Sequence, residues 1–422
     1  MKYETSKRKN ILVVLIVVIL VLCIGLFMKN KTNTLNNTSI NEESIVEELN
    51  ENLIGAYIQQ GEEYVKADTI PTSGYEFNEE ESYCKIGDAI QENMTLFYDM
   101  ETQTLTVSPI AKEGTKCYLY FDKQASAAET ILASPNAPTG QTTDWTNNGT
   151  GITYYYIGNP DNWLQFAGFY WRIIRINGDG SIRMIYQGVA DSETPDSGNI
   201  TGTGTQIGTS AFNSSYNNNA YVGYMYGNVN ATDYAGTHAN TNSSTIKGVL
   251  DQWYHNNLET RYGQYIDGNA GFCGDRRISS GTGIGTSTTN YQPYTRIRNS
   301  NPNLTCETLD IYTTVNSSTG NKSLQYSIGL ISAEEVAIAG GTFQSDNDSY
   351  YLYIGEDYWT ITPSLYGRTL AYAFYVGSNG SISYINGVNF IGGVRPVINL
   401  RSDVSITGSG TTSDPFKVVG AS

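Results

Sequence analysis

Residues 359 to 400 read WTITPSLYGRTLAYAFYVGSNGSISYINGVNFIGGVRPVINL. Trp359 to Thr362, Ala371 to Val376, Ser381 to Ile385 and Val394 to Leu400 are short runs rich in β-branched and aromatic residues, and Gly377 to Gly380 supplies a turn. These runs predict strands, with Trp359 as an apolar anchor. Pro396 has no N–H to give to a ladder, so it belongs at a sheet edge or the start of a strand. Arg395 beside it is most economically a buried arginine that fixes a loop through an ion pair or by binding carbonyls.

Working outward, Tyr350 to Ile354 predicts a further strand, and Ser332 followed by Glu335 is a capping box that starts a helix. Capping explains Glu334 and Glu335 better than a catalytic carboxylate pair, because adjacent helical positions face different ways. Thr245 to Leu258 predicts the clearest helix, with Ile246, Val249, Leu250 and Trp253 on one side. Tyr154 to Ile157, Leu164 to Phe166, Phe169 to Ile176 and Ser181 to Tyr186 predict a meander that includes Trp171 and turns through residues 177 to 180. Between meander and helix, Ala190 to Ser243 is rich in Asn, Gly, Thr, Ser and Tyr and too long for an ordinary connection. Its tyrosines Tyr216, Tyr221, Tyr224, Tyr226 and Tyr234 are the candidate ligand-binding residues, because binding loops draw contact area and adaptable hydrogen bonds from this composition.

Residues 135 to 152 predict a Pro/Gly/Asn/Thr linker, and residues 69 to 134 a small β-sandwich of Ig-like kind. Before it, residues 29 to 68 predict a spacer and an amphipathic helix, from the stripe Val46, Leu49, Leu53, Ala56 and Tyr57. Ile11 to Met28 is an uncharged run of roughly 27 Å as a helix, long enough to cross a bilayer. Lys2, Lys7, Arg8 and Lys9 precede it, and no small-residue cleavage site follows, which favours an uncleaved signal anchor with residues 1 to 10 in the cytoplasm. The bulk of the chain is then extracellular. Setting Cys23 aside leaves Cys84, Cys117, Cys273 and Cys306, and sequence neighbourhood favours Cys84 with Cys117 and Cys273 with Cys306 among the three possible pairings. The first bridge is expected to staple the two sheets of the sandwich.

Composition excludes some functions. The net charge of -16 removes the basic surface that nucleic acid needs. His238 and His255 are the 2 histidines, too few for His-ligated metal or His-based catalysis to be expected. No metal site is expected: Asp346-Asn347-Asp348-Ser349 lacks the glycine and terminal glutamate of an EF-hand loop, so calcium has no motif to support it, and no cofactor is expected.

The motifs Trp359-Thr360-Ile361-Thr362-Pro363 and Gly393-Val394-Arg395-Pro396, with Tyr156-Ile157-Gly158-Asn159-Pro160, Trp171-Arg172, Asp251-x-Trp253-Tyr254, Cys273-Gly274-Asp275-Arg276 and Asp414-Pro415-Phe416, carry a resemblance. Residues 153 to 420 resemble a family of uncharacterised bacterial surface domains similar to the C-type-lectin-like and formylglycine-generating-enzyme-like folds. The formylglycine-generating relatives hold copper on a cysteine pair with a flanking catalytic set that is missing here, so no enzyme activity is expected. The combined expectation is an α+β protein: an N-terminal transmembrane helix, a small Ig-like β-sandwich, then a C-type-lectin-like domain. Its expected function is cell-surface binding or adhesion to an extracellular glycan, cell-wall or protein ligand; the alternative is a structural or assembly component of the cell envelope.

Overall fold

The structure is a computed structural model, and it describes residues 44–46, 54–71, 74–100, 103–109, 111–315, 320–367 and 369–421. Strands account for 35% and helices for 17%, which corrects the expected α+β class to mostly β, and no N-terminal transmembrane helix is shown. Among the described residues no helix is long and apolar enough to cross a membrane. The expected tail and anchor, residues 1 to 28, lie outside the described residues. The chain divides into two compact units, Met1–Ile70 with Phe77–Phe121, and Pro71–Glu76 with Asp122–Ser422.

The first unit is built from β1 (Ser44–Val46), β2 (Ile54–Gln60), β3 (Glu63–Ala67), β4 (Tyr75–Ile86), β5 (Ala89–Ile90), β6 (Thr95–Asp99), β7 (Thr104–Ser108) and β8 (Thr115–Lys123). They form a five-stranded sheet in the order β3-β2-β8-β4-β5 and a three-stranded sheet in the order β1-β7-β6. Leu119 and Phe121 of β8 are buried, as are Leu96, Tyr98, Leu105 and Val107 of β6 and β7. Tyr98 meets Phe121 edge to face at 5.6 Å between ring centres, which places the apolar faces of the two sheets together.

The amphipathic helix expected within residues 29 to 68, along the stripe Val46 to Tyr57, is not what forms at either described end, and Ser44–Val46 is already strand β1. Ile54–Gln60 is a strand that pairs in parallel with β8, Ala56 opposite Leu119 and Tyr57 opposite Tyr120. Gly55 and the β-branched Ile54 and Ile58 are weak helix formers, and pairing in the middle of a sheet overrides a short three-and-four-residue stripe. Cys84 and Cys117 are bonded as the spacing favoured. Their strands, however, are neighbours in one sheet, so the bridge joins adjacent strands and does not staple two sheets.

In the second unit, β9 (Gly140–Thr143), β10 (Ile152–Tyr155), β11 (Trp163–Phe166), β12 (Phe169–Ile176) and β13 (Ile182–Val189) lead into a sheet whose path runs from Val397–Leu400 through β13, β12 and β11 to Phe416–Val418 and Ile406–Thr407. The expected linker is therefore not a free connection, since β9 within it pairs with β10. The β12-β13 turn needs Gly180 in the left-handed region, at φ 85°. A second sheet runs from Thr209–Ala211 through Ile391–Gly393, Tyr358–Tyr366, Ala371–Val376 and Ser381–Ser383 to Thr342–Phe343. Tyr350 to Ile354, expected as a strand, is irregular.

Nearly every residue of β12 and β13 is buried, so these strands have no solvent face on which to leave polar side chains. Arg172, Arg175 and Arg183 lie within them, and each must find its partners inside. The expected helix forms at Thr245–Asn257, with Ser244 capping it by accepting from Lys247 N.

Candidate functional site

The structure does not bring the five loop tyrosines to one surface. Tyr224 is fully buried, and its hydroxyl donates to Ile328 O at 3.2 Å. Tyr234 donates to Arg276 O at 2.6 Å and packs on the His238 ring. Tyr221 and Tyr226 meet edge to face at 5.3 Å and are half-buried, and Tyr216 alone is well exposed at 41%. The Ala190 to Ser243 stretch is ordered by its polar side chains. Asp196 caps the turn Ser197–Ile200, and Asn219 Nδ2 donates to the carbonyls of Ile284, Gly285 and Ser287.

The motif residues are framework. Trp171 and Trp359 are buried and donate Nε1 to Phe166 O and Ser210 O, each at 3.0 Å, while Trp253 is half-buried against Phe169, Trp171 and Tyr186. Arg395 is fully buried and binds carbonyls: Nε and Nη2 donate to Tyr186 O at 3.3 and 3.2 Å, and Nη1 to Leu352 O at 3.3 Å. Its guanidinium lies 4.8 Å from the Tyr358 ring centre, and Pro396 O accepts from Tyr186 N. Cys273 and Cys306 form the second disulfide.

The buried charges form networks. Glu335 caps its helix by accepting from Ser332 N at 2.8 Å and also pairs with Arg175 Nε at 2.9 Å and Arg183 Nε at 2.5 Å. Arg175 also pairs with Asp144, and the Trp145 ring lies 4.2 Å from the Arg175 guanidinium. Burial raises the Glu335 carboxyl, but Arg183 and Arg175 outweigh it and hold Glu335 below its ordinary range. Glu334 points elsewhere, to Arg296 Nη2 at 2.5 Å, and that arginine also holds Asp275 at 2.8 Å. The two glutamates thus cap and compensate, which goes beyond the capping role expected of them.

His238 is buried between Tyr234, Tyr291 and the Arg276 charge, with Nε2 3.0 Å from Gly283 O. Burial, and then Arg276, push the imidazole down to about 3 against a hydrogen bond from its ring to Gly283 that acts the other way. The folded ring stays neutral in mild acid while the unfolded ring takes up a proton below about 6.5. Stability is therefore expected to fall as pH drops from about 6.5 toward 3, by up to about 1.4 kcal/mol per pH unit. Urea midpoints measured across this range should show that slope, and His238→Gln should flatten it.

Among the described residues no group of three or more His, Cys, Asp or Glu is placed to hold a metal ion. What the sequence reading passed over is an array of tyrosines on the five-stranded sheet of the first unit. Tyr64 of β3, Tyr57 of β2, Tyr118 and Tyr120 of β8 and Tyr83 of β4 are all half-buried. Tyr57 and Tyr120 are stacked at 4.9 Å and 12°, Tyr83 and Tyr118 at 5.1 Å and 24°. Tyr83 lies 6.1 Å from Tyr120, and Tyr64 meets Tyr120 edge-on at 4.9 Å. The rings lie on the face opposite the core because Tyr118 and Tyr120 alternate with buried Cys117, Leu119 and Phe121. Asn78 Nδ2 donates to the Tyr64 hydroxyl at 3.2 Å, and Lys85 Nζ lies 5.2 and 5.6 Å from the centres of the Tyr83 and Tyr118 rings. The alternation in β8 was legible as one buried face, and its other face was the available signal.

No family model, curated protein or solved structure matches this chain.

Proposed function

We propose that the protein is an extracellular binding protein that recognises its ligand through the tyrosine face of the first unit. Two disulfides, consistent with an extracellular protein, support the compartment. The uncharged run of residues 11 to 28 supports attachment at the cell membrane. The observation that carries the reading is the array of Tyr57, Tyr64, Tyr83, Tyr118 and Tyr120 across four neighbouring strands. Tyrosine gives large, rigid contact area with a polar tip and little rotamer entropy to lose, and here the rings are carried on a disulfide-bridged sheet. Of the loop tyrosines, Tyr216 is the most exposed, and it is the control residue.

Fluorescently labelled protein titrated onto intact bacterial cells, isolated cell walls and mucin-coated surfaces tests the reading. Saturable binding is expected, with the Tyr57→Ala/Tyr83→Ala double variant weakened about tenfold or more, as loss of aromatic hot spots commonly produces. Tyr216→Ala should bind as the parent does. Binding that survives the double variant and is lost with Tyr216→Ala would move the site to the second unit.

A further inference from the structure

The tyrosine face also carries information about what it excludes. Glu62, Glu63, Glu79, Glu80 and Glu81 are exposed on β3, on β4 and in the β2-β3 turn, and the charge of Glu81 is felt at the Tyr120 phenol. An anionic polymer approaching the rings meets the Glu81 carboxylate. A cation drawn toward Glu81 finds the Tyr83 and Tyr118 rings already paired with an ammonium, because Lys85 Nζ lies over both. Peptides that bind sheets as added strands dock on an edge, where backbone groups are open, whereas Tyr57, Tyr118 and Tyr120 lie on interior strands.

What the face offers is hydroxyl groups and ring surface. Each phenol both donates and accepts a hydrogen bond. Burial, followed by the hydrogen bond and charge of Tyr83, pushes Tyr120 up to about 12, so it remains a neutral hydroxyl in ordinary media. Four adjacent strands at about 4.8 Å spacing give a ring-lined surface about 14 Å across. A sheet face of this kind, in contrast to the concave cleft that suits a small molecule, favours an extended polymer.

Resting on the reading that this face is the recognition surface, we propose that its ligand is an uncharged polysaccharide, held by hydroxyl-to-hydroxyl hydrogen bonds and by sugar C–H groups against the tyrosine rings. Lys85 and Glu81 beside the rings act as a filter against charged polymers.

Affinity electrophoresis of the full chain tests this, in native gels cast with galactomannan, hydroxyethylcellulose or glycol chitin as neutral probes. Polygalacturonate, polylysine and polyproline gels supply the anionic, cationic and peptide arms. Retardation by at least one neutral polymer is expected, with the dissociation constant raised about tenfold or more in Tyr57→Ala/Tyr83→Ala and less in Tyr83→Phe, which keeps the ring and removes the hydroxyl. Tyr216→Ala should migrate as the parent. Thermal melts establish that each variant is folded, and if the alanine pair is not, Tyr57→Phe/Tyr83→Phe replaces it and must still weaken retardation. No retardation by any neutral polymer, or retardation unchanged in a folded tyrosine variant, overturns the proposal. Retardation confined to a charged or peptide gel and lost in the tyrosine variants also overturns it, while leaving the tyrosine face standing as a recognition surface.

Discussion

Glu335→Gln is expected to lower the stability of the second unit by about 3 to 5 kcal/mol, the penalty typical of removing one partner from a buried ion pair. Glutamine keeps the shape and an acceptor for Ser332 N, so the helix cap survives. Two guanidiniums, Arg175 and Arg183, are then left with only Asp144 as a buried carboxylate partner, in a site where all four side chains are almost completely enclosed. Urea denaturation should show a lower midpoint at an unchanged slope, because the surface exposed on unfolding is the same. Glu335→Met combined with Arg183→Met should recover much of the loss, since an apolar pair needs no charge compensation. A Glu335→Gln protein as stable as the parent would mean that water reaches the network.

Cys84→Ala/Cys117→Ala is expected to cost the first unit about 3 to 4 kcal/mol, from the entropy regained by an open loop of about 33 residues. The unit is small and has a limited buried core, chiefly Ala56, Leu96, Tyr98, Leu105, Val107, Leu119 and Phe121, so a loss of this size takes most of its margin. Hydrogen exchange read by mass spectrometry should show residues 54 to 70 and 77 to 121 losing protection while β12 and β13 keep theirs. Equal loss in both regions would show that the two units unfold together.

Sequence reading succeeded where structure is local. The strand Phe169–Ile176 and the strand Ala371–Val376 form as expected, because continuous runs of β-branched and aromatic residues leave few alternatives. The helix at Thr245 and the Ser332 capping box follow from capping residues beside short apolar stripes. Both disulfides follow from cysteine number and spacing.

Failures came where a residue's role depends on a distant partner. The residues around Ala56 and Tyr57 match a helical stripe and a strand about equally well, and the choice is made by β8, some sixty residues further on. The tyrosine face was hidden for the same reason: Tyr57, Tyr64, Tyr83, Tyr118 and Tyr120 are neighbours only once the order β3-β2-β8-β4 is known. Arg175 and Glu335 are far apart in sequence, and neither advertises burial, because charged residues normally stand in water.

The strand Phe416–Val418 lies between β11 and Ile406–Thr407, inside the sheet. Leu164 therefore waits, through the synthesis of more than half the chain, for Phe416 to arrive beside it. A ribosome that stops short of Phe416 releases a polypeptide with an unfilled slot in its sheet, open to other strands and to proteases. The position of this strand makes synthesis beyond Val418 a condition of completing the sheet, so that shorter copies are exposed to clearance.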